Sequence, residues 1–324
     1  MPEDLVEKSL QKIKGENVLI TGATGFIGKH LVDCLKKVCR VYIVSRNKST
    51  VHQDVIIADI KDQKTIEKEI KKIDINTIFH LAGHISKSAS INQIDDFYSI
   101  NADGTKNMLE ICRKHDIDRF IYSSSMSVFG KPLYLPIDEN HPQFPPLHYG
   151  KSKLLGELYC KEFHKYYKIN TTILRYSSVY GPGQQHNEII PIFITNALSD
   201  KPLLLYNNGN DSGDFIFVKD VVSANILAAT NRKAINQDFN IGSGTETTVE
   251  DLAKLILKWV GNGKMQYVSN EQESSHKFVF NITKAKNTLG YLPRHSLNQG
   301  LEEQIKNLNT KNDPPVQNRG SISN

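Results

Sequence analysis

The chain has 324 residues, long for a single compact core, and its 39% hydrophobic and 23% charged content is that of an ordinary globular protein. The net charge of +5 is spread over interspersed lysines and glutamates, with no basic stripe among aromatics, which argues against nucleic acid and leaves room for an anionic small substrate. No apolar run approaches the ~20 residues of a membrane span, and the start MPEDLVEKSLQKIKGEN lacks the apolar core of a secretion signal. Cys34, Cys39, Cys112 and Cys160 have no metal-ligand spacing, so no metal and a reducing cytoplasm are expected.

A short buried strand at 18–20 feeds a glycine-rich turn, and residues 26–38 then carry apolar side chains at near-helical spacing. Strands follow at 41–44 and 55–57, an amphipathic helix at 63–72 and a fourth strand at 77–81. A long helical stretch covers 94–114, followed by strands at 120–122 and 171–174 on either side of a helix at 152–167. Strands alternating with helices define an α/β class with a doubly wound parallel sheet. Beyond Gly181 the texture changes to shorter elements punctuated by Pro182, Pro191, Pro202 and an Asn/Gly/Asp-rich stretch at 207–213. Helices are expected at 220–229, at 249–260, and near Lys284 and Leu301.

Thr21-Gly-Ala-Thr-Gly-Phe-Ile-Gly28 lies between the first strand and the first helix. Gly22, Gly25 and Gly28 suit a tight turn, close approach to a pyrophosphate, and close helix–strand packing, with Phe26 and Ile27 opening the helix. The helix N-terminus offers its free N–H groups to phosphates. Residues 1–180 therefore form a dinucleotide-binding Rossmann domain, completed by 214–245. Residues 181–213 and 246–308 form a smaller α/β substrate lobe, and 309–324 a disordered tail. Just after the second strand, where an acidic residue would hold a free ribose 2′-hydroxyl, the chain has Ser45-Arg46-Asn47-Lys48. Arg46 can fork onto a 2′-phosphate, which favours NADP over NAD; a solvated loop arginine is the competing reading.

Of thirteen tyrosines only Tyr149 has a lysine four residues on, in Tyr149-Gly-Lys-Ser-Lys153. Residues four apart share a helix face. A free phenol titrates near 10, and a neighbouring ammonium lowers that value toward a useful base. Ser123-Ser-Ser-Met-Ser-Val-Phe-Gly130 stands at the carboxyl end of the fifth strand, where a hydroxyl can hold a substrate oxygen while Tyr149 moves its proton. No Gly-x-Ser-x-Gly elbow surrounds these serines, so a serine nucleophile is rejected.

With these motifs, His80-Leu-Ala-Gly83, Asn101-x-x-Gly104-Thr105, LRYSSVYGPG, DFIFVKDV and NITKAKNTLGY in this order, the chain resembles the extended short-chain dehydrogenase/reductase family. The type is that of nucleotide-sugar epimerases and dehydratases, such as the UDP-glucose 4-epimerase-like proteins, and the similarity spans about 18–301. The resemblance implies that Tyr149 is the general base or acid, that Lys153 also holds the nicotinamide ribose, and that Ser125 is the catalytic hydroxyl. It also implies cofactor contacts at Asp59, Ile60 and Ala82, a substrate contact at Ser178, a homodimer built from the helices near 94–114 and 152–167, and hydride transfer at a sugar C4. His80 and Asn101 stay outside the catalytic assignment.

Three departures bear on the substrate. Met126 and Ser127 stand where the family's 4,6-dehydratases have an Asp-Glu pair, which disfavours dehydration. Ser178 replaces the usual epimerase Asn, and Gly213 the usual Arg, so two diphosphate contacts are missing; His276 or Lys277 can compensate. The leading reading is an NAD(P)-dependent nucleotide-sugar C4 epimerase, an isomerase with oxidoreductase chemistry. The alternative is an NADPH-dependent reductase of a keto sugar or other carbonyl. A non-catalytic dinucleotide-binding sensor would need neither Tyr149 nor Lys153.

Overall fold

The apolar runs of the first half have both faces covered, and they assemble as strands of one parallel sheet. In the computed structural model, which describes residues 3–47, 54–85, 94–184, 187–268 and 276–310, the chain forms two units. The first is Met1–Val179 with Asp214–Glu246 and Lys277–Arg294, and the second is Tyr180–Gly213 with Thr247–His276 and His295–Asn324.

The first unit starts with helix α1 (Glu3–Lys12), strand β1 (Asn17–Thr21) and α2 (Phe26–Leu35). β2 (Arg40–Ser45), β3 (Val55–Ile57), α3 (Gln63–Ile70) and β4 (Thr77–His80) follow. The next helical stretch joins α4 (Ile94–Asp96), a π-helical turn (Phe97–Asp103) and α5 (Gly104–Lys114). Then come β5 (Arg119–Ser125), α6 (His148–Tyr167), β6 (Asn170–Tyr176) and β7 (Ser178–Tyr180). The second unit contributes α7 (Ile189–Leu198) and β8 (Leu203–Leu205), and β9 (Ser212–Phe217) leads back to α8 (Val218–Thr230) and β10 (Gln237–Ile241). β11 (Glu246–Thr248), α9 (Val249–Val260), β12 (Met265–Tyr267), α10 (Thr283–Leu289) and α11 (Leu297–Thr310) complete the described chain.

The main sheet has the order β10-β6-β5-β4-β1-β2-β3, every pair parallel. Strand order reverses between β1 and β4, the point where doubly wound sheets open a crevice at their carboxyl edge. One face is sealed by a cluster that includes Leu31, Leu35, Val221 and Phe239. The other is sealed by Met108, Ile111, Phe120 and Cys160 among others. In the second unit β8 and β12 pair in parallel. There α9 is held at its start by Thr248 Oγ1, which accepts from the Asp251 N–H at 3.0 Å, and ends on Gly261 at φ 77°.

Two departures from the sequence reading bear on how the site is built. α6 begins at His148 rather than at 152, with Leu147 as its extended N-cap. Residues 246–308 do not stay together: Lys277–Arg294 belongs to the first unit. There Phe278 and Phe280 are buried in its core cluster, and the Phe280 ring stands edge-on to Phe129 at 5.9 Å. The expected tail at 309–324 lies, from 311 onward, outside the described residues.

Candidate active site

The carboxyl ends of four neighbouring strands, β2, β1, β4 and β5, bring Arg46, Gly22, Ala82 and Ser125 into one row along the sheet edge. Gly22 has φ +70°, and a Cβ there would stand 2.6 Å from the Ala82 nitrogen. A Cβ on Gly28 would stand 2.1 Å from the Gly22 oxygen. Neither position admits any other residue without moving backbone. Gly25 is the N-cap of α2 and supplies no side-chain cap, and the first turn, with Phe26 and Ile27 half-buried, carries no acidic residue. The N–H groups of that turn are thus offered to an anion, and a dinucleotide pyrophosphate fits the cradle.

Beyond β2, Arg46 and Asn47 are exposed, and the Asn47 N–H donates to Ser45 Oγ at 3.4 Å. Lys48 lies outside the described residues. Asp59 and Ile60 form a turn after β3, where Asp59 Oδ1 accepts from the Lys61 N–H at 2.9 Å. Asn107 Nδ2 of α5 donates to the Ile60 carbonyl at 3.1 Å, which pins this turn to the helix.

α6 approaches β5 through two glycines. A Cβ on Gly150 would lie 2.3 Å from the Ser127 oxygen, and one on Gly156 2.2 Å from the Tyr122 hydroxyl. That approach buries Lys153 to 4% exposure. Its Nζ stands 4.6 Å from the centre of the Tyr122 ring and 3.8 Å from where a Cβ of Gly83 would sit. Burial lowers the Lys153 ammonium to about 8, with the carboxylate of Glu157 opposing that shift. Tyr149, one turn earlier on the same face, is half-buried, with its ring 6.3 Å from that of Phe97.

Strand alternation divides the serine run. Ser124 Oγ donates to Glu157 Oε1 at 2.6 Å and is buried. Ser125 is partly exposed; its Oγ accepts from the Ser127 N–H at 3.2 Å and donates to Ser127 Oγ at 3.2 Å. Ser178, after β6, donates to Met126 Sδ at 3.8 Å. Asp214, next to Gly213, is a buried hub that accepts from Ser243 Oγ at 2.6 Å and from the N–H groups of Ser243, Gly244 and Phe280. His276 and Lys277 are exposed.

Several positioning groups had no assignment from sequence. His80 is buried between Thr21 Oγ1 at 2.7 Å and Thr105 Oγ1 at 3.0 Å. Burial first, and the Lys153 charge second, push it down to about 3, so it stays neutral. Asn101 exchanges two hydrogen bonds with the His84 backbone, at 2.7 and 3.1 Å. Glu157, four residues after Lys153, accepts from Arg175 Nε and Nη2 at 2.9 and 2.7 Å, both side chains being buried. The four-residue spacing from Lys153 to Glu157 was the available signal.

A doubly wound sheet with a glycine cradle, and a buried lysine one turn from a tyrosine at its carboxyl edge, define a nicotinamide-dinucleotide enzyme. Residues 18–242 match the NAD dependent epimerase/dehydratase family, and the chain belongs to it. It is 34% identical over 307 residues to a putative UDP-glucose 4-epimerase of Methanocaldococcus jannaschii, covering 91% of this chain and 99% of the relative. A UDP-glucose 4-epimerase of Thermotoga maritima, solved with UDP-glucose, superposes with TM-score 0.85 at 30% identity, covering 92% of this chain and 100% of that one. A UDP-glucuronic acid 4-epimerase of Bacillus cereus, solved with UDP-glucuronic acid and NAD, superposes with TM-score 0.82 at 27% identity, covering 91% and 99%. Among the described residues no helix is long and apolar enough to cross a membrane.

Proposed function

We propose that this enzyme inverts the C4 carbinol of a nucleotide-linked sugar, a UDP-hexose or UDP-hexuronate, by transient oxidation at C4. The observation that carries the reading is Lys153, buried between the Tyr122 ring and Gly83 one helical turn from Tyr149. The cofactor supplies the two-electron acceptor and donor at C4. Gly22, Gly25, Phe26, Ile27 and Gly28 hold its pyrophosphate, Asp59 and Ile60 its adenine side, and Ala82, Tyr149 and Lys153 its nicotinamide side. Tyr149 takes the proton of the 4-hydroxyl and returns it. Lys153, charged below about pH 8, stabilises the phenolate. Ser125 holds the sugar oxygen, for which it must turn its hydroxyl from Ser127, and Ser178 touches the substrate. Met126 and Ser127 bring no acid–base pair for dehydration. Incubating the protein with UDP-glucose and NAD, and following UDP-galactose by NMR, tests the activity; no interconversion of any UDP-hexose or UDP-hexuronate refutes it.

The relative solved with NAD supports NAD as the resident nucleotide. Arg46, exposed at the ribose edge in place of a carboxylate, supports acceptance of NADP as well. A one-way NADPH-dependent reductase is the second reading, and Arg46 is the observation that favours it. Denaturing the purified protein and identifying the released nucleotide separates the two: retained NAD supports epimerisation, an empty site filled by NADPH supports reduction. We further infer a cytoplasmic homodimer. The four uncross-linked thiols support a reducing compartment. Leu158, Tyr166 and Tyr167, exposed on α6, support a helix-to-helix contact between two copies. Light scattering that returns a monomer mass rejects the dimer.

A further inference from the structure

The amino edge of a doubly wound sheet is remote from the cofactor, yet in this chain it carries a buried cation with unused donors beside open space. A cavity of about 680 Å³ lies there, lined by Lys12, Glu16, Asp118, Arg119, Thr230 and Arg232 among others. A second hollow of about 390 Å³ shares Lys12, Thr230 and Arg232 with it. Arg119 is 6% exposed. Its Nη2 donates to Thr172 Oγ1 at 3.3 Å and to the Ala228 carbonyl. Its Nε and Nη1 have no partner among the described residues. The neighbouring Asp118 gives it no salt bridge; that carboxylate instead accepts from Asn170 Nδ2 at 3.0 Å.

Burial lowers the Arg119 guanidinium to about 10, with the charge of Asp118 opposing that shift, so it stays charged at neutral pH. A buried charge with unused N–H donors is costly and is stabilised by an anion that can accept from them. Lys12 and Arg232 are exposed on the wall of the same cavity and have no ion-pair partner among the described residues. Three cations against the two carboxylates Glu16 and Asp118 leave the lining net positive, and their several N–H donors match the multiple oxygens of a phosphate group. Glu16 and Asp118 offer acceptors for hydroxyl or amino groups on the rest of the molecule, and the volume is in the range of small-molecule pockets.

We infer that this cavity is a second binding site, for a small phosphate monoester, distinct from the dinucleotide cradle. Arg119 and Ser125 are the two ends of β5, about 20 Å apart at ~3.3 Å per residue, so the ligand does not take part in the chemistry at C4. Lys12 precedes residue 18, where the family match begins, so part of the site lies in a segment outside that match. Occupancy fixes α1 and the start of β5 and acts on stability.

The test uses the full chain saturated with NAD, so that the pyrophosphate cradle is filled, and titrates inorganic phosphate against sodium chloride at equal ionic strength. Wild type is expected to bind phosphate saturably and to melt at a higher temperature in it. Arg119 is buried and Arg119→Met risks the fold, so the decisive variant is the exposed pair Lys12→Ala/Arg232→Ala. It is expected to weaken phosphate binding about tenfold or more while keeping NAD binding and turnover. No saturable phosphate effect in wild type overturns the site, as does equal affinity in the double variant. Succinate binding more tightly than phosphate overturns the ligand class.

Discussion

The side-chain amide of Asn101 donates to Ser152 Oγ at 2.9 Å, and Ser152 Oγ donates in turn to the Tyr149 carbonyl at 2.8 Å. The π-helical turn is thereby tied to the start of α6, the helix that carries Tyr149 and Lys153, and Asn101 also clasps His84 beyond β4. Asn101→Ala removes three hydrogen bonds at a fully buried position. Leaving buried polar groups unpaired costs ~1–3 kcal/mol each, so the urea midpoint is expected to fall by more than a surface substitution causes. Because the clasp also sets the height of Tyr149, kcat is expected to fall while NAD affinity changes less. A variant with wild-type midpoint and kcat would sink this role.

The serines of β5 separate by hydrogen-bond partner through the alternation of the strand, Ser124 bonding Glu157 and Ser125 bonding Ser127. Tyr149→Phe is expected to lower turnover by ~10²–10⁴-fold or more and to leave cofactor binding largely intact. Ser125→Ala is expected to cost less, since water can replace its hydroxyl. Ser124→Ala is expected to act on stability instead, because Ser124 serves the buried Glu157–Arg175 pair. Steady-state kinetics together with melting curves on the three variants check the division. A Ser124→Ala enzyme slower than Ser125→Ala with an unchanged melting temperature contradicts it.

His80 gives the fold a defined acid response. Its folded pKa, about 3, lies below the ordinary 6.5. Between those values the unfolded chain binds a proton that the folded chain does not. Stability from this residue therefore rises with pH across that window, and is lost as pH falls from about 6.5 toward 3. One proton corresponds to a slope of at most ~1.4 kcal/mol per pH unit. His80→Gln keeps a polar side chain between Thr21 and Thr105 but cannot take up that proton. Its unfolding free energy is expected to depend less steeply on pH between 4 and 6.5 than that of wild type. Identical slopes in chemical denaturation would remove His80 from the acid response.

What was legible in the sequence followed from chemistry that repeats locally. Strands such as Val18-Leu-Ile20 are apolar on both faces because both faces are covered. The glycines at 22 and 28 announced themselves because backbone occupies the space of their side chains. Tyr149 and Lys153 stood out by a spacing of one helical turn. What stayed hidden depends on residues far apart in the chain. The Asn101–Ser152 bond joins residues 51 apart, and the π-helical turn that aims Asn101 has no compositional mark. The return of Lys277–Arg294 to the first unit rests on buried side chains such as Phe278, Phe280 and Leu289, whose core partners lie far away in the chain. The unused donors of Arg119 exist only once Thr172 and Ala228 have taken its Nη2.

The last prediction concerns the nucleotide. β2 ends at Ser45, and Arg46 follows it exposed, the position at which doubly wound dinucleotide sites generally place the ribose edge. A carboxylate at this place would accept from a 2′-hydroxyl and repel a 2′-phosphate; arginine reverses both effects. A charge-assisted contact to phosphate is worth ~1.5–3 kcal/mol, or about tenfold to more than a hundredfold in affinity. If Arg46 meets the 2′-phosphate, Arg46→Ala is expected to weaken NADP binding by that factor and to leave NAD almost unchanged. If Arg46 extends into solvent, both nucleotides change little and equally, and the enzyme is an NAD protein like its relative solved with NAD. Raising the ionic strength gives an independent reading: a 2′-phosphate contact at an exposed arginine is screened by salt, so NADP affinity should fall with added chloride more steeply than NAD affinity. Titrations of both nucleotides into wild type and Arg46→Ala, at two salt concentrations, decide the matter. Equal salt dependence for the two nucleotides would return Arg46 to the solvent and leave the ribose edge without a phosphate partner.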